Sequence, residues 1–182
     1  MTVVERIHIL SNEGRHAQLV DYVGDNEKYF KALISMYIGG PYRITQRLSG
    51  PVTSICIRHP FLLKPYFALL LKALNDNAAP LALKRSTIRM FQFVPIPKNS
   101  HGKLLDICFR FLLDKRETIA VKVFSMSVAE CLVRYSDELC RELRIVIEDQ
   151  LPYSGPAFRS RATKVLKRLL KESTPASTRK NH

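Results

Sequence analysis

Four helix starts recur along this chain at a nearly constant spacing. They begin at Pro41-Tyr-Arg-Ile-Thr-Gln-Arg-Leu, Pro80-Leu-Ala-Leu-Lys-Arg-Ser-Thr, Glu117-Thr-Ile-Ala-Val-Lys-Val-Phe and Pro156-Ala-Phe-Arg-Ser-Arg-Ala-Thr, with steps of 39, 37 and 39 residues. A period of this size corresponds to one pair of helices with its turns. One pair cannot bury both of its apolar faces, so pairs must stack. Few folds satisfy that constraint. The expected one is all-α: a right-handed α-solenoid of about four helix pairs.

The segments between these starts supply the first helix of each pair. Phe30, Leu33, Ile34, Tyr37 and Ile38 follow an i, i+3, i+4, i+7, i+8 pattern, which predicts a helix over 27–38 with Asp25 or Asn26 as its cap. Gly39-Gly40-Pro41 stops it, since Gly can take the left-handed position past a helix end and Pro suits a first turn. The helix from Pro41 contains Gly50-Pro51, which predicts a kink or restart there. Further pairs are predicted at 61–74 with 80–93, 103–113 with 117–133, and 137–150 with 156–171, Pro65 lying in or near the first turn of its helix. Residues 1–12 read as either a short helix or a loose arm, and a short helix is expected over 15–23. One domain spans 1–172, with 1–26 as its N-terminal cap. The polar stretch 173–182 is expected to lack fixed structure.

Five positions into each second helix stand Gln46, Arg85, Lys122 and Arg161. Asp76 and Asp114 occupy turns between paired helices. A helix opening with a Pro or polar turn, followed by an apolar-then-basic pair such as Val121-Lys122, resembles the HEAT family of helical repeats, with armadillo repeats as a near neighbour. Lys84-Arg85 and Ser160-Arg161 match at the basic residue only, and Gln46 departs from the pattern. The resemblance covers about 27–172. It implies a repeat scaffold whose binding face is lined by second helices. For the basic residue itself two readings stand: a hydrogen bond to a turn carboxylate or carbonyl, or contact with a ligand.

The net charge is +13, from 29 Lys and Arg against 16 Asp and Glu, and it is unevenly spread. Between Lys28 and Leu105 twelve basic residues face Asp76 alone, and from Gln150 onward eight face Glu172 alone. The segment 106–149 between them is slightly acidic. Much of the excess falls on second helices: Arg43, Arg47, Lys84, Arg85, Arg89, Arg159, Arg161, Lys164, Lys167 and Arg168 are the candidate binding residues. They suit an acidic protein segment or a nucleic acid backbone as partner. A solvated basic surface is the plainer alternative.

No catalytic or cofactor motif is evident. The histidines are scattered, no glycine loop suited to phosphate is present, and neither a metal nor a small-molecule substrate is indicated. Cys56, Cys108, Cys131 and Cys140 form no C-x-x-C pair and sit among apolar neighbours, which predicts buried, reduced thiols and a cytoplasmic location. No apolar run is long enough to span a bilayer. The leading expectation is a non-enzymatic binding or scaffold module. More distantly the chain resembles helical-repeat alkylpurine DNA glycosylases in size, helical repeats and basic charge. That resemblance implies a concave Asp with a Trp or Tyr holding the damaged base. The sequence has no Trp, and Glu117 and Glu130 are the acids of its second helices. A third reading is self-assembly through the acidic helix at 137–149, and the oligomeric state is left open.

Overall fold

Capping and apolar periodicity set the helices locally. The structure, a computed structural model, describes residues 1–76 and 78–172. Among them are ten α-helices and no strand. The stretch 1–12 resolves as helix α1 (Val3–Asn12), because Thr2 and Glu5 form a reciprocal capping box that satisfies two first-turn amides. Gly14 turns the chain with φ 70° into α2 (His16–Val23). Asn26 caps α3 (Glu27–Gly39) by accepting from the Tyr29 N–H. The polar tail 173–182 lies outside the described residues.

The four expected pairs are all present: α3 with α4 (Tyr42–Arg58), α5 (Phe67–Asn75) with α6 (Leu81–Phe91), α7 (His101–Leu113) with α8 (Ile119–Val133), and α9 (Asp137–Gln150) with α10 (Pro156–Glu172). Three local details differ from expectation. Gly40 does not take the left-handed conformation; its φ is −78°. Glycine stands there because a Cβ would lie 2.3 Å from the Met36 carbonyl oxygen. Second, α4 passes through Pro51 unbroken. The ring removes the one amide that would bond the Arg47 carbonyl, while buried Pro51, Val52 and Ile55 anchor this part of the helix in the core. Third, the stretch expected as one helix from Phe61 begins as two 3₁₀ turns, Pro60–Leu62 and Lys64–Tyr66, before α5. Each turn holds a proline near its start, where the missing amide has no helical partner to lose.

The packing forms two compact units, Met1–His101 and Gly102 onward. In the first, α4 packs against α2, α3 and α6. Its core includes Phe30, Leu33, Leu48, Ile55 and Ile88, and Phe67 stacks on Phe91 with ring centroids 4.6 Å apart. In the second, α8 packs against α9 and α10. An unbroken run of α8 from Ser125 to Glu130 is buried, as expected of a helix surrounded by neighbours. Leu143, Ile147, Phe158, Val165 and Leu169 close over it.

Candidate functional site

The repeated position five residues into each second helix serves two purposes. In the second unit it is structural. Lys122 is 8% exposed, and its ammonium donates to the Leu112 carbonyl at 3.0 Å and to Gln150 Oε1 at 3.1 Å. Leu112 lies in the last turn of α7, where carbonyls lack helical partners, so Lys122 fills a vacancy left by α7 and ties it to the end of α9. Burial lowers the Lys122 pKa, opposed by the charges of Asp114 and Glu117. Arg161 donates to Ser127 Oγ at 2.8 Å, joining α10 to α8.

Other basic residues of α10 are also engaged. Arg168 grips Glu130 with two nitrogens, Nε on Oε1 and Nη2 on Oε2 at 2.7 Å. Glu130 is 4% exposed, so this bidentate pair is what makes a carboxylate tolerable inside the unit. It also leaves Glu130 facing a guanidinium rather than an open site. Arg159 reaches back to the carbonyls of Leu151 and Pro152 at 3.3 and 3.2 Å. Lys164 and Lys167 stay exposed on the same helix.

The first unit is different. Arg47 donates to Asn12 Oδ1 on α1, and Lys84 is half-buried. Arg43, Arg85 and Arg89 are exposed and make no side-chain hydrogen bond or ion pair with another described residue. Here α4 and α6 lie side by side. Between them runs a groove of about 280 Å³. Arg85 and Arg89, one turn apart on α6, form one wall; Tyr42 and Gln46 of α4 form the other. Ser49 and Ser86 make the floor.

That floor is fixed from below. Tyr37 of α3 is buried, and its hydroxyl lies 2.8 Å from both Ser86 Oγ and Thr87 Oγ1. Ser49 Oγ stands 3.0 Å from Ser86 Oγ. Ser49 also donates to the Thr45 carbonyl at 2.7 Å, and Ser86 to that of Ala82. Ser86 thus spends its proton on its own helix backbone, while the Ser49 proton is shared between the Thr45 carbonyl and Ser86 Oγ, so the network links α3, α4 and α6 beneath the groove. Burial pushes the Tyr37 hydroxyl up to about 12, so it stays protonated.

Sequence reasoning named the arginines but did not single out Tyr37, Ser49 or Ser86. Ser49 lies eight residues past Pro41 and Ser86 six past Pro80, so the repeat period does not mark them as a pair. The cysteine expectation needs one correction. Cys56, Cys108 and Cys140 are buried, but Cys131 is exposed, because it turns to the outer side of α8 near its end. Burial pushes the Cys56 thiol up to about 12 and raises that of Cys108 as well. Among the described residues no group of three or more His, Cys, Asp or Glu is placed to hold a metal ion. Among the described residues no helix is long and apolar enough to cross a membrane.

A family model described as a HEAT repeat domain matches residues 5–169. Comparisons with curated proteins and with solved structures return no match.

Proposed function

The chain belongs to the HEAT repeat domain family, and we propose that it is a non-enzymatic binding module that holds an acidic protein segment on the basic face of its second helices. Repeat arrays of this kind act as helical scaffolds for protein interaction. The observation that carries the finer reading is the state of Arg43, Arg85 and Arg89. They are exposed, engaged by no other described residue, and lie in a stretch whose single acid is Asp76. That acid is itself turned to a local task, accepting the Ala78 N–H at 2.8 Å. The arginines on α10 contribute less, since Arg159, Arg161 and Arg168 already have partners within the chain.

A second reading, binding of a nucleic acid backbone, draws support from the overall charge of +13 and from exposed Lys164 and Lys167. One titration separates the two. A fluorescent peptide rich in Asp and Glu and a fluorescent DNA duplex are titrated with the full chain at low and at physiological salt. The proposal expects the peptide to bind, to weaken with salt, and to be lost when Arg43, Arg85 and Arg89 are all changed to Glu. Binding of the duplex alone, or peptide binding that the triple change leaves intact, overturns it.

A further inference from the structure

The groove between α4 and α6 has more structure than a diffuse positive patch needs. We propose that it seats a phosphorylated serine or threonine of a partner protein, with an apolar residue of that partner packed beside it. This rests on the reading that the chain holds an acidic protein segment.

Three observations converge on it. The first is charge. Arg85 and Arg89 stand one turn apart along the same wall, and neither is neutralised by a described carboxylate. A phosphomonoester carries between 1.5 and 2 negative charges near neutral pH, by general estimate about twice that of a carboxylate. It also offers three acceptor oxygens, enough for two guanidinium forks and the Gln46 amide at once. An Asp or Glu side chain matches only one of the two arginines.

The second is size. At about 280 Å³ the groove falls just below the roughly 300 Å³ at which sites for whole small-molecule ligands begin. It suits one side chain and its immediate neighbours. A duplex would instead need a long run of free cations, yet Arg47 is held by Asn12 and Lys84 is half-buried.

The third is the mixture of surfaces. Tyr42 is 52% and Leu81 44% exposed at one end of the groove, and both line it. Apolar side chains beside paired arginines fit a peptide that presents a phosphate and an adjacent apolar residue. Below them the Tyr37–Ser86–Ser49 network holds α4 and α6 at a set distance. The groove is therefore formed before a ligand arrives, which reduces the ordering cost of binding.

The test uses three labelled hexapeptides with a central residue followed by Leu: phosphoserine, Glu or Ser. Each is titrated with the full chain and followed by fluorescence anisotropy, with a DNA duplex alongside. The phosphoserine peptide should bind at least about tenfold tighter than the Glu peptide. Arg85→Gln with Arg89→Gln should remove that preference. Arg116→Gln, an exposed arginine on the α7–α8 turn, should leave it in place, and circular dichroism checks that each variant is folded. Equal binding of phosphoserine and Glu peptides overturns the phosphate seat but leaves the acidic-segment reading standing. Binding of the duplex with none of the peptides, or no binding at all, overturns both. A phosphoserine preference that survives the Arg85 and Arg89 changes shows that the seat lies elsewhere and overturns this assignment.

Discussion

Lys122 shows how one residue type at one repeat position can be structural in one helix and open in another. Its ammonium satisfies the Leu112 carbonyl, and Lys122→Met leaves that carbonyl and Gln150 without a donor. The expected loss is about 1–3 kcal/mol in urea unfolding at neutral pH. The pH dependence has a definite sign. The folded amine titrates below its ordinary 10.5, so as pH rises the folded chain releases this proton first. Between the lowered value and 10.5 the unfolded chain binds more protons, and Lys122 then adds stability with increasing pH. The stability gap between wild type and Lys122→Met should widen as pH approaches about 10.5; a gap that stays constant would contradict the account. The Glu130–Arg168 pair is unequal in another way. Glu130 is buried while the Arg168 side chain is 47% exposed. Arg168→Met strands a charge inside the unit, whereas Glu130→Gln leaves a guanidinium that can reach water. Arg168→Met should therefore lower the urea midpoint more than Glu130→Gln, which is expected to cost about 1.5–3 kcal/mol.

Adjacent glycines at the end of α3 have opposite tolerances. A Cβ on Gly39 meets nothing within 4 Å, while on Gly40 it meets the Met36 oxygen at 2.3 Å. Gly39→Ala is expected to be neutral or to stabilise by up to about 1 kcal/mol through lower unfolded-state entropy. Gly40→Ala should cost about 1–3 kcal/mol, because backbone must move. Thermal melts of the two variants decide it. Between elements, Tyr37 is the tie: Tyr37→Phe removes the hydroxyl shared by Ser86 and Thr87. A loss of about 0.5–1.5 kcal/mol is expected, with faster amide exchange in α4 and α6 than elsewhere. Helix existence was legible in the sequence because apolar spacing and caps act over a few residues. The helices at 137–150 and 27–38 were placed within a residue at each end. The 3₁₀ entry to α5 and the unbroken passage of α4 through Pro51 were not, because each depends on what neighbouring elements bury.

Across the whole chain, the repeat period and the charge distribution are properties of sequence order and need no coordinates. Which charges are available is not. Arg161 and Arg85 hold equivalent places in their repeats, yet one is bound to Ser127 and the other faces the groove. If binding runs through the α4–α6 face, association should weaken steeply with salt in wild type and far less in a variant lacking Arg43, Arg85 and Arg89. Equivalent changes at Lys164 and Lys167 should have the smaller effect. The sequence by itself determined an all-α repeat of four helix pairs, because a chain with this period of apolar faces can bury them only by stacking. The tertiary structure alone decided which arginines remain free and that two serines and a tyrosine hold a groove open beneath them. Those outcomes depend on side chains far apart in the sequence meeting, as Tyr37 meets Ser86, and the local pattern around each gives no sign of its partner.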